Sequence, residues 1–169
     1  MGVTINFEGK LKSDADFQVV MKIAKEFAEV NDMAFFYFEE TEKFLQRVKQ
    51  EKNWDYKGST RGIRIQPDSN SDPLLLEFDR DNYIQEYCKT QFVDIEIHIK
   101  IINFLRQIEY YFSELRINDE GEYWETSDAE LLQEHIDNCF RAIDDAKKEN
   151  YKLSGPFRIA DGRIVDLMS

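Results

Sequence analysis

Residues 3–11 (VTINFEGKL) alternate: Val3, Ile5 and Phe7 share one side, and Thr4, Asn6 and Glu8 the other. That two-residue period predicts a half-buried strand. Ser13 follows as a helix N-cap, with Asp14 and Asp16 in the positive first turn. Phe17, Val20, Met21, Ala24, Phe27 and Ala28 then form an apolar stripe at helical spacing. Opposite it, Lys22/Glu26 and Lys25/Glu29 are four apart, which marks a solvated face. The helix is expected to end at Asn31 or Asp32.

MAFFYF (33–38) carries apolar residues at both parities, the pattern of a central strand covered on both faces. Residues 39–53 have helix-forming composition, with Phe44, Leu45 and Val48 clustered. A strand is preferred because Trp54, Tyr56 and the segment GSTRG (58–62) resemble the end of a hairpin. RGIRIQ (61–66) and PLLLEF (73–78) read as two strands joined by the turn-forming run PDSNSD.

Residues 93–115 carry two periods at once. Val93, Ile95, Ile97, Ile99 and Ile101 alternate like a strand, while Ile101, Phe104, Leu105, Ile108, Tyr111, Phe112 and Leu115 recur at helical spacing. A stretch of this length without Gly or Pro is too long for an ordinary strand, so it is read as one mostly buried helix, with a short strand at 115–117. Residues 118–126 form a turn-rich acidic connector. Ser127 and Glu130 then make a capping box for a last helix that turns Leu132, Ile136, Cys139, Ile143 and Ala146 inward. FRIADGRIV (157–165), with Asp161-Gly162 at its centre, predicts a C-terminal β-hairpin. The expected fold is therefore a single α+β domain over residues 1–169: a mainly antiparallel sheet with two to three long helices on one face and that hairpin.

Charge sharpens this picture. The 169 residues carry 34 acidic and 22 basic side chains, a formal net charge of −12. Residues 119–150 alone hold 11 acids and 3 bases, so two thirds of the net charge belongs to 32 residues. A general nucleic-acid binder needs the opposite balance, and an anionic membrane surface repels this one. No apolar run approaches the ~20 residues of a membrane span. Met1-Gly2 opens like a myristoylation signal but meets Asn6 where Ser or Thr belongs. Cys88 and Cys139 lack paired-motif spacing and read as free thiols of a cytoplasmic, bacterial-type protein.

Chemical candidates are few. Asp119, Glu120, Glu122 and Glu125 are the one set spaced closely enough to suggest a hard-cation site. Asp79-Arg80-Asp81-Asn82 begins like a calcium loop and fails at Tyr83, Ile84 and Thr90. His98 with Glu96, or His135 with Glu134, supplies an acid–base pair if the helices meet; a structural hydrogen bond explains either histidine more simply. Cys88 beside Lys89 is a nucleophile candidate without a local signature. Gly58 to Gly62 with Arg61 is the nearest approach to an anion loop, although a hairpin turn explains it with less assumption, and Trp54 and Tyr56 beside it are a candidate surface patch. Glu8-Gly9-Lys10 matches part of a nuclease pattern and lacks its upstream acid. No phosphate-binding, dinucleotide or nucleophile-elbow motif occurs, and no cofactor is implied.

The functional expectation is a non-catalytic protein-interaction module, inhibitor or immunity-like, that presents an acidic face at 119–150 to a basic partner. Asp119, Glu120, Glu122, Glu130, Glu134, Asp137 and Asp144 supply the charge, and Tyr123 and Trp124 the aromatic anchors. The competing expectations are a solvated face without a partner, a small metal-dependent or acid–base hydrolase with carboxylates converging from separate elements, and an aromatic-lined ligand cleft beside the 93–115 helix.

Overall fold

The N-terminal strand lies at the centre of a sheet, hydrogen-bonded on both sides. The computed structural model of the chain describes residues 2–169. Its elements run β1 (Thr4–Leu11), α1 (Asp14–Val30), β2 (Ala34–Leu45), β3 (Val48–Lys49), β4 (Lys52–Asn53), β5 (Tyr56–Gln66), β6 (Leu74–Phe78), β7 (Tyr83–Lys89), α2 (Ile95–Ile108), a 3₁₀ turn (Glu109–Tyr111), β8 (Phe112–Asp119), α3 (Tyr123–Thr126), α4 (Ala129–Glu149), β9 (Phe157–Arg158) and β10 (Ile164–Val165). Two antiparallel three-stranded sheets result, in the orders β7-β1-β8 and β2-β5-β6. The fold is α+β, and the C-terminal hairpin β9-β10 is present.

The core follows from the alternation. Ile5 and Phe7 of β1, Ile63 and Ile65 of β5, and Leu74, Leu76 and Phe78 of β6 all point inward and are buried. Helices α1 and α2 cover that face: Phe17 meets Phe78 edge-on at 5.8 Å and Phe27 stacks on Phe104 at 4.7 Å. Ser13 caps α1 through the Asp16 amide, as its position predicts. Helix α4 is an outer layer, packing Leu132 and Ile136 on Val3 and, beside α2, on Ile95 and Ile99. Each such fully buried aliphatic is worth about 1.5–3 kcal/mol.

Several expectations need correction. The 33–38 strand is not central: β2 is an edge strand that continues to Leu45, with Phe36 57% and Tyr37 50% exposed. Its aromatic run mimicked two-sided burial. The preference for strand after residue 38 and for a long hairpin holds, since β2 pairs with β5. The hairpin tip, however, lies at Gln50-Glu51, both at positive φ between the short strands β3 and β4, and not at 58–62. The GSTRG run lies inside β5. Gly62 is there for close approach: a Cβ would sit 1.7 Å from the Leu76 carbonyl oxygen of β6.

The 93–115 stretch is not one helix. It contains α2, the 3₁₀ turn and the first half of β8. The alternating isoleucines belong to the helix, and the helical-looking Phe112 and Leu115 to the strand. The capping box also shifts by one residue: Ser127 sits at φ 53 as the end of α3, and Asp128 caps α4 by accepting from the Glu130 and Leu131 amides at 3.0 and 3.1 Å. The calcium-like run is the turn between β6 and β7, where the Asp79 carboxylate accepts from the Asp81 and Tyr83 amides. No helix among the described residues is long and apolar enough to cross a membrane.

Candidate functional site

The acidic segment divides into an inward-bound part and a free part. Asp119, the last residue of β8, is 3% exposed and faces inward. One oxygen accepts from the Gly121 amide at 2.8 Å, the other from the Tyr123 and Trp124 amides at 2.9 Å each. It therefore folds the chain back into α3 and leaves the docking set. His98 Nε2 lies 3.0 Å from the same carboxylate, and His98 Nδ1 lies 2.6 Å from the Thr90 hydroxyl. The Thr90 hydroxyl and the Asp119 carboxylate thus flank the two ring nitrogens of His98. Burial pushes the Asp119 carboxyl up, but the bond and charge of His98 and the Trp124 and Gly121 amides outweigh it and hold the pKa below the ordinary carboxylate value.

Thr90, His98 and Asp119 thus have the chemical order of a hydroxyl–imidazole–carboxylate relay, yet all three are sealed from solvent. No substrate reaches Thr90 in this form. The group acts as a joint between the end of β7, α2 and β8. It also corrects the pairing of His98 with Glu96. His135 likewise pairs with Glu122, at 2.6 Å, and not with Glu134.

Tyr123 and Trp124 are half-buried and pack against the main core. Their carbonyl oxygens accept from Arg106 of α2 at 3.0 and 3.2 Å, and the same guanidinium lies 5.4 and 5.8 Å from their rings. Much of each aromatic is spent on holding the loop to the core. Glu120, Glu122, Glu125, Glu130, Glu134, Asp137 and Asp144 remain exposed. Among the described residues, no Lys or Arg lies within ion-pair distance of Glu130, Glu134, Asp137 or Asp144; Asp137 takes only a bond from Gln133 at 3.0 Å. Asp119, Glu120, Glu122 and Glu125 do not converge on a metal position, because Asp119 turns inward and Glu122 outward to His135.

The other candidates are absorbed by the fold. Cys88 is fully buried, its thiol 3.5 Å from the Asp72 carbonyl oxygen, and burial with Asp72 beside it raises its pKa far above thiolate reactivity. Cys139 is half-buried and also shifted upward, first by burial. Arg61 stacks on Phe17 and bonds Asp14 and Asn82, so it is not available for an anion. Trp54 and Tyr56, with Tyr83, surround the chain's own Arg47, which is buried and paired with Asp79 at 2.9 Å.

One constellation was invisible in the sequence. A groove of about 910 Å³ runs between the open face of β7-β1-β8 and the arm around Phe44 and Val48. Two carboxylates on its adjoining strands have opposite environments and leave the sheet on opposite faces: Glu8 pairs with Gln85 on the open face, and Glu86 pairs with the buried Phe7. Glu8 feels burial, which raises its pKa, but a 2.5 Å bond from the Tyr83 hydroxyl, one from Gln85 and the charge of Arg116 hold it low. Glu86 is pushed up to about 7 by burial, against the charge of Arg163 at 2.8 Å. Arg163 reaches it from the C-terminal hairpin, 77 residues away, and stacks on Tyr87 at 3.7 Å. Of these residues the sequence marks only Glu8, in its Glu-Gly-Lys fragment; nothing local signals the Glu86–Arg163 pairing.

These features define the chain as an α+β protein with an unpaired acidic helix face and a polar groove. Comparison with models of protein families, with curated proteins and with solved structures finds no match.

Proposed function

We propose that the chain is a non-catalytic protein-interaction module, of inhibitor or immunity type, which presents the outer face of α4 and the preceding loop to a basic partner in the cytoplasm. The carrying observation is the set Glu130, Glu134, Asp137 and Asp144: exposed on one helix and without cationic partners among the described residues. Clustered like charges repel one another, and a complementary basic surface relieves that repulsion and speeds encounter. Glu120, Glu122 and Glu125 extend the field towards α3. The free thiols agree with a reducing compartment. The test is capture from native lysate with the wild-type chain and with Glu130, Glu134, Asp137 and Asp144 changed together to Lys. The proposal expects capture that is lost on reversal and weakened by salt; capture indifferent to both contradicts it.

A further inference from the structure

Strand β2 is hydrogen-bonded on one side only, to β5; among the described residues nothing pairs with its other edge. Edge strands usually carry charges, bulges or proline that prevent another chain from adding to them. Here that protection is uneven. Residues 39–42 (EETE) are acidic, and the register with β5 shifts between Glu40 and Lys43. Residues 34–38 (AFFYF) have no charge, no proline and no register shift, and their Phe36 and Tyr37 are half exposed. The aromatic half of the edge is thus an open template for a strand.

A groove of about 640 Å³ lies beside this segment, between α1 and the β2-β5 face, with Arg61 and Gly62 of β5 in its lining. Phe17, Met21, Lys22 and Lys25 of α1 form one wall, and Tyr37, Phe38 and Glu39 of β2 the other. An edge strand flanked by a helix suits an extended peptide: backbone bonds supply affinity and alternate side chains supply specificity. The register with β5 places Phe35, Tyr37 and Glu39 on the same face as the buried Ile63 and Ile65, and Phe36, Phe38 and Glu40 on the other.

We infer that β2 accepts an antiparallel strand from a basic partner protein, a second interaction surface separate from the α4 face. The direction continues the antiparallel order of the β2-β5-β6 sheet. The chemistry follows from the charges. Glu40 and Glu42 are exposed and have no ion pair among the described residues, so they call for Lys or Arg opposite them. Glu39 lines the groove together with Lys22 and Lys25, so its opposite residue is uncharged. Residues opposite 34–38 are β-branched or aromatic. A second copy of this chain fits less well, because it brings the same acids and no basic run.

The test uses the full chain, ¹⁵N-labelled, and a nine-residue peptide, Lys-Thr-Lys-Ser-Val-Val-Tyr-Val-Thr, written to lie antiparallel to residues 42–34. Expected are amide perturbations confined to β2 and the facing turns of α1. Phe36→Lys should weaken binding at least about tenfold while leaving the melting temperature unchanged. Glu40→Lys/Glu42→Lys should do the same and be rescued when both peptide lysines become Glu. Glu130→Lys/Glu134→Lys should leave the affinity within about twofold, which separates this surface from the α4 proposal. No binding, or perturbations centred on α4, overturns the inference. A β2-dependent dimer in sedimentation that excludes the peptide also overturns it, assigning the edge to a second copy.

Discussion

Two ionisable residues, Asp119 and Glu86, contribute pH dependence of opposite sign. Asp119 has a folded pKa below its ordinary value, so its contribution to stability is complete above about pH 4 and is lost as pH falls through the folded value. Asp119→Asn removes charge-assisted bonds to three amides and the charge facing His98, and should cost about 2–4 kcal/mol in urea unfolding at pH 7. Glu86 has the opposite sign. Its folded pKa, pushed up to about 7, lies above the ordinary 4.5, so the folded chain holds a proton that the unfolded chain releases. Stability from this group is complete below about pH 4.5 and falls as pH rises through about 7. Melting temperatures across this range should therefore decline more steeply in the wild type than in Glu86→Gln; parallel curves would remove the assignment. The sealed Thr90–His98–Asp119 group predicts that Thr90→Val alters stability and leaves any partner binding unchanged.

At the scale of elements, the arm between β2 and β5 depends on one side chain. Arg47 is caged by Trp54, Tyr56 and Tyr83 and anchored to Asp79, so Arg47→Ala should loosen residues 46–55 without melting the sheets. Amide exchange that accelerates there and not in β1 is the expected result. Elements with one dominant period were legible from sequence: β1, α1 with its Ser13 cap, the β5-β6 hairpin and the C-terminal hairpin. Elements whose period conflicts with their role were not. The aromatics of β2 suggested burial at an exposed edge, and the isoleucines at 95–101 alternate although α2 is helical. β7, with Tyr83, Gln85 and Tyr87 on the open face, gave no clear apolar alternation. The acidic helix face was legible because it is contiguous in sequence. The groove was not, because it is assembled from Glu8, Arg116 and Arg163, which are far apart in sequence and are brought together by the strand pairings and the C-terminal hairpin.

Across the whole molecule, the acidic face and the uncharged strand edge belong to different elements. The −12 is concentrated on α4 and its preceding loop, while the uncharged edge of β2 lies on another element, next to α1. A basic partner that engaged both would be steered by the first and held in register by the second. Partner capture as a function of salt probes the acidic face. The wild-type chain should lose at least about tenfold in capture between 50 and 300 mM salt, following the screening of charges beyond a Debye length. The variant with Glu130, Glu134, Asp137 and Asp144 changed to Lys should capture little at either concentration. Equal capture by both proteins at both concentrations would show that the acidic face takes no part in binding.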